Sequence, residues 1–158
     1  MKFLVIIISF FIGIIIFMPV ENLFFTLEKK ISKQNIYINT TTSTSITNLY
    51  LYNLTIFQKN KKIAFIKKGE IIPLIVFNKI NLSDISIKNI HFSKITLTHT
   101  IFNPVIIEVL ATSNIGKFKG IINLKKRFLK IYISNIKQNK IKSFLHKDKK
   151  GFFYEKIF

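Results

Sequence analysis

The chain has no cysteine and no tryptophan, five glycines, three prolines and seven carboxylates in 158 residues. Without cysteine there are no disulfides and no thiolate metal sites, while the redox compartment stays open. Scarce glycine leaves no G-x-x-x-x-G-K, G-x-G-x-x-G or G-x-S-x-G pattern, so the common phosphate cradles and nucleophile elbows are excluded. The seven carboxylates are dispersed. Glu21 and Glu28 read as helix surface charges, and Glu70, Asp84 and Glu108 fall in separate strand or turn segments. No acid–base pair is expected from them. His91 and His99 lie eight apart, which on one unbroken strand gives a shared face but about 27 Å of separation, too far for one metal. His146 sits in a lysine-rich run and reads as solvated. The expectation is a protein that is not an enzyme, with no cofactor and no metal.

Lysine and isoleucine are abundant. Arg127 is the single arginine among 25 cations, and the net charge is +18. The lysines are scattered along the chain, consistent with a compositional bias, yet the charge still attracts anionic head groups and acidic partners in a salt-dependent way. The lysine excess keeps a polyanion-binding module, for nucleic acid or lipopolysaccharide phosphate, as the alternative expectation, with nucleic acid the less expected partner. The three N-x-[ST] matches, Asn39, Asn53 and Asn81, are what an asparagine- and threonine-rich chain gives by chance.

Against this background the first twenty residues stand out. After Lys2 comes an apolar run: Phe3, Leu4, Val5, Ile6, Ile7, Ile8, Phe10, Phe11, Ile12, Ile14, Ile15, Ile16 and Phe17, broken only by Ser9 and Gly13 and closed by Met18-Pro19. At ~1.5 Å per residue this is a short span of a ~30 Å hydrocarbon layer, or the core of a signal peptide. The exit Phe17-Met18-Pro19-Val20-Glu21 has no small-x-small cleavage pattern, so an uncleaved signal anchor over 1–20 is expected. Lys29, Lys30 and Lys33 weigh for a cytoplasmic domain. The resemblance of the run to a signal sequence favours export.

Val20, Leu23, Phe24, Leu27 and Ile31 share one helical face, opposite Glu21, Glu28, Lys29, Lys30 and Lys33, and predict an amphipathic juxtamembrane helix over 21–35. It either packs on its own domain or lies along the lipid surface with Phe24 and Phe25 immersed.

Residues 36–158 read as strands. Leu49–Phe57 alternates, with Asn53 a candidate bulge, and Lys59-Asn60-Lys61 makes a tight turn into Lys62–Lys67. Lys68-Gly69 reads as another turn, and Pro73 argues against a central strand over Glu70–Asn78, leaving a short helix or an edge segment. Ile80 to Ile87 forms one strand with a slip in parity near Asp84. Lys94–Phe102, Val105–Thr112, Phe118–Leu124 and Phe128–Ile133 follow, separated by turns at Asn103-Pro104, Asn114-Ile115-Gly116 and Lys125-Lys126. His146–Gly151 reads as a polar break before a last strand in Phe152–Phe158. The fold class expected is all-β, antiparallel, a curved sheet or jellyroll. Its Ile, Leu and Phe exceed what a single helix can cover, so one sheet face is expected to meet lipid or a partner.

Some of these features together resemble a known family. They are Pro19, Leu23, Leu27 and Ile31; Ile36 and Ile38; the strand Leu49–Ile56; the turn Asn114–Gly120; and Gly151-Phe152-Phe153-Tyr154-Glu155. In that order they look like the type II secretion protein N family and, more distantly, the N-terminal module of AsmA-like envelope proteins. The resemblance implies a single-pass protein of the bacterial inner membrane with its domain in the periplasm. Its partners would be the membrane, envelope or secretion-system proteins, and lipid. The bitopic subunit of lipopolysaccharide transport, an anchor followed by a periplasmic β-jellyroll, has the same plan.

Overall fold

The computed structural model describes residues 24–26, 28, 29, 32, 35–45, 47–74, 76–137 and 142–157. Every expected anchor residue, and Val20, Leu23, Leu27 and Ile31 of the juxtamembrane face, lie outside them. Among the described residues no helix is long and apolar enough to cross a membrane.

The domain is one antiparallel sheet of ten strands. They are β1 (Ile36–Thr44), β2 (Leu49–Gln58), β3 (Lys61–Pro73), β4 (Phe77–Ile87), β5 (Ile90–Thr100), β6 (Ile106–Ser113), β7 (Lys117–Asn123), β8 (Phe128–Ser134), β9 (His146–Asp148) and β10 (Gly151–Ile157). Their order is β1-β2-β3-β4-β5-β6-β7-β8-β10-β9. Each strand to β8 follows its predecessor through a hairpin, and only the last two depart, with β10 beside β8 and β9 at the edge. This is an open meander, without the two facing sheets of a jellyroll.

Asparagine does much of the work that glycine does elsewhere. Asn35, Asn53, Asn60 and Asn135 all have positive φ, as do Lys59, Asp84, Lys88 and Arg127. Short side chains that bond locally to the backbone tolerate this region better than most, so the asparagine-rich, glycine-poor composition still makes tight turns and bulges.

Three sequence expectations need correction. Lys68-Gly69 is not a turn: β3 runs through it, with Gly69 paired to Leu51 and Leu82. A Cβ on Gly69 would lie 3.2 Å from Leu82 and 3.3 Å from Leu51, so the glycine makes room for larger neighbours. Glu70–Pro73 is the end of that interior strand, neither helix nor edge, and Pro73 is tolerated because it is the last residue, where no further donor is required. The polar break at 146–151 is itself a hairpin, β9 to β10, closed by Asp148 Oδ1 accepting from the Lys150 N–H at 2.7 Å.

Asn53 and Asp84, the two anticipated slips, have φ of 52° and 54°. The pairings step over Asn53 on β2, Lys67 on β3 and Asp84 on β4, and a bulge at Ser93 continues the step on β5. Aligned slips of this kind bend strands and raise their twist. They also restore parity: Leu49, Leu51 and Leu54 end on one face, as do Leu82 and Ile85, which strict alternation would split. The core lies at this bend, where Phe24, Leu49, Leu51, Leu54, Ile66 and Ile85 form one buried cluster.

Candidate functional site

Cross-strand partners point to the same side of a sheet, so the register defines the faces. One row reads Leu49, Ile71, Ile80, Leu97, Val109, Gly120, Ile131, Tyr154 from β2 to β10. The next reads Leu51, Gly69, Leu82, Ile95, Ala111, Phe118, Ile133, Phe152. Tyr154 carries the only polar side chain in either row. Seven steps of ~4.8 Å make each row roughly 34 Å long, close to the ~30 Å hydrocarbon thickness of a bilayer.

The two ends of this face differ. Over β2–β4 it carries the buried cluster, to which Phe24 belongs, with Leu49 fully inaccessible and Ile85 nearly so, while Ile71, Ile80 and Leu82 are half-buried. Phe24 therefore meets the protein's own sheet, while its neighbour Phe25, edge-on to it at 5.8 Å, is exposed. Residues 24–26, 28, 29 and 32 are helical, as the apolar spacing predicts. From β5 onward Ile95, Leu97, Ala111, Phe118, Ile122, Leu129 and Ile131 are only half-buried, and Val109 and Ile133 are the buried apolar residues of their strands.

The opposite face is mainly polar and basic, with Leu110 and Ile121 exposed among its polar groups. Across β2–β5, Glu70 accepts from Asn48 Nδ2 and Asn81 Nδ2, both at 3.1 Å, and Thr96 Oγ1 donates to Asn81 Oδ1 at 3.2 Å. This ladder places one amide donor on each oxygen of Glu70. Further along, a hollow of about 410 Å³ is lined by Lys94, Lys117 and Lys119 with Thr96, Thr112 and Ser134, and no carboxylate. At the far edge Lys130 stands 3.7 Å from Glu155 and 3.9 Å from Asp148, and its ammonium lies 4.0 Å from the centre of the Phe153 ring.

Asp148 also accepts from Tyr132 Oη at 2.9 Å. Desolvation works to raise its pKa but is outweighed by the Lys150 amide, the Tyr132 hydroxyl, the Lys130 charge and the Gly151 amide, so the pKa is lowered.

His91 and His99 are both on β5, but the Ser93 bulge places them on opposite faces, correcting the shared face that unbroken alternation implies. His91 Nδ1 lies 3.3 Å from Ser86 Oγ, and His99 Nε2 donates to the Pro104 carbonyl at 3.0 Å. Among the described residues no three His, Asp or Glu side chains gather at a metal-binding spacing.

The sequence reading placed the candidate sites in the anchor and the juxtamembrane face. It anticipated an apolar sheet face in general terms but not its residues. The missing signal was parity, because the slips at Asn53, Lys67, Asp84 and Ser93 hide the common side of each strand. Comparison of the chain with protein-family models, with curated proteins and with solved structures finds no match.

Proposed function

We propose that the chain is a non-enzymatic, single-pass protein of the bacterial inner membrane whose periplasmic sheet binds the acyl chains of a membrane lipid on its apolar face. The observation that carries this reading is the pair of apolar rows crossing from β2 to β10, covered at one end and half-open from β5 onward. An apolar strip this long costs free energy in water and is stabilised by a hydrocarbon partner. The apolar run Phe3–Phe17 supports a place at the bilayer, where such a partner is abundant. The resemblance to secretion N-type and lipopolysaccharide-transport proteins agrees with a role in secretion or envelope lipid handling.

The test is solvent extraction of the full chain purified from membranes in mild detergent, followed by mass spectrometry. Lipid is expected to be retained, and to be lost when Leu97→Asp and Ile131→Asp are combined. A chain that brings no lipid through purification would sink the proposal. A second reading, polyanion binding at the hollow of Lys94, Lys117 and Lys119, rests on the absence of any lining carboxylate. It predicts binding that disappears between ~50 and ~200 mM salt, with no lipid recovered.

A further inference from the structure

In a meander, alternate hairpins lie at the same end of the sheet. One end holds the β2–β3, β4–β5 and β6–β7 connections. Its tips are polar: Lys59-Asn60, Lys88-Asn89 and Asn114, with Ile115 turned inward and buried. The other end holds the β1–β2, β3–β4, β5–β6 and β7–β8 connections and the end of β10. The β1–β2 connection, at the β1 edge of the sheet, shows polar Ser45, Thr47 and Asn48, and the apolar character lies on the others. Their tips carry Val76, Ile101, Phe102, Leu124 and Ile157, all exposed, with Phe102 83% accessible.

Backbone bonds fasten these tips together. The Ile101 N–H donates to the Val76 carbonyl at 3.1 Å, and the Leu124 N–H to the Val105 carbonyl at 2.8 Å. Beside Leu124 stand Lys125, Lys126 and Arg127, all exposed. Bulky apolar groups at several adjacent tips, next to a cationic cluster, match the chemistry of an anionic lipid–water boundary.

The helix gives a second, independent pointer. It ends at the polar-tipped end, where the Asn35 N–H donates to the Ser32 carbonyl and the Lys59 N–H to the Asn35 carbonyl, at 3.0 Å and 3.2 Å. Phe24, its first described residue, lies inward among Leu49, Leu51, Leu54, Ile66 and Ile85. From Phe24 to Ser32 the described helical residues thus run toward the polar tips, so the chain before Phe24 comes from the side away from them. The apolar run ends at Met18, six residues before Phe24, a reach of roughly 20 Å at most.

We propose that the apolar-tipped end of the sheet rests on the bilayer surface. Phe102, Ile101, Leu124 and Val76 enter the headgroup–acyl boundary, and Lys125, Lys126 and Arg127 meet anionic headgroups. The polar-tipped end points away from the membrane. This orientation rests on the anchor reading and is separate from what the apolar face binds.

Because the chain has no cysteine, one introduced cysteine carries the only label. The full chain is reconstituted in vesicles of anionic and zwitterionic phospholipid containing a lipid-attached quencher. Fluorophores are placed by Asn103→Cys and Leu124→Cys at one end, and by Asn60→Cys and Asn89→Cys at the other. Asn103→Cys leaves every apolar tip residue intact. The expected result is quenching and a blue shift at 103 and 124 and neither at 60 or 89. Equal quenching at the two ends, stronger quenching at 60, or none at either overturns the orientation. Replacing Lys125, Lys126 and Arg127 together by Gln is expected to reduce quenching at 103 in anionic vesicles and leave it unchanged in neutral ones. No change in either removes the headgroup contact. A chain that fails to float with vesicles defeats the anchor reading and the orientation with it. Quenching at 103 with no lipid recovered on extraction leaves the orientation standing and sinks the lipid-binding function.

Discussion

Two stretches of one sheet face share a chemistry and differ in cover. Over β2–β4 Leu49, Leu51, Leu54, Ile66 and Ile85 are buried with Phe24 around the aligned slips at Asn53, Lys67 and Asp84, and Ile71, Ile80 and Leu82 are half-buried at their margin. Over β5–β8 and β10 the same rows continue with side chains of the same kind, half-exposed. The difference cannot come from hydrophobicity, which is alike in both. It comes from the bend, which wraps the early strands around their own side chains, and from the helix, whose Phe24 completes that cluster. The covered part behaves as a core. The open part has the composition of a core and an accessibility between that of a core and a surface, and for that reason it is the better candidate for binding.

The contrast can be tested by substitution, with stability read from urea unfolding of the full chain in detergent. Leu49→Ala is expected to cost about 3 to 4 kcal/mol, since Leu49 is inaccessible and its loss leaves a cavity. Leu97→Ala, its partner along the row in the open part, is expected to cost less than about 1 kcal/mol without lipid. Equal costs would erase the distinction between the two parts. Phe24→Ala follows at about 3 kcal/mol, with Phe25→Ala near zero. A reversed order would mean that the helix is not seated on the sheet by Phe24.

Gly120→Ala sharpens the picture within the open part. A Cβ there falls on the Lys130 carbonyl oxygen and lies 2.7 Å from Ile131 Cα, both backbone, so β7 and β8 must shift, at about 2 kcal/mol. Loss of amide-exchange protection confined to β7 and β8 is the measurement. Asn53→Ala is expected to cost about 1 kcal/mol, because alanine resists the left-handed conformation that Asn53 adopts. Asn53→Gly is expected to be nearly neutral, which separates backbone strain from lost side-chain bonds.

The smallest effect concerns pH. With its folded pKa lowered, Asp148 contributes stability above its unfolded value of ~3.9, and that contribution is lost as pH falls through the lower, folded value. Amide exchange at Lys150 and Gly151 is expected to quicken in that acid window, and Asp148→Asn to abolish the pH dependence.

Much of the fold was legible because strands announce themselves locally. Leu49–Phe57, Val105–Thr112 and Phe128–Ile133 alternate or are β-rich, and Lys59-Asn60 and Asn114-Ile115-Gly116 are turn chemistry. Gly69 and Pro73 misled because both normally end strands. Here one fits between Leu51 and Leu82 and the other sits at a strand's last residue, facts that depend on neighbours distant in sequence. The edge pairing of β9 with β10 left no periodic trace, since β9 has three residues. The apolar face was legible only as an excess of Ile, Leu and Phe. Its membership required the slips, and the clustering of Val76, Phe102 and Leu124 at one end required the strand order.

That strand order has a kinetic consequence. From β1 to β8 every strand pairs with the one made just before it, so each new contact closes a short loop and little chain entropy is lost at any step. Such a sheet can grow hairpin by hairpin as the chain emerges, each strand templating the next. The exception is the end, where β10 must take the edge of β8 with β9 on its outer side. Removal of β9 and β10 therefore leaves the β1–β8 ladder all of its nearest-neighbour pairings.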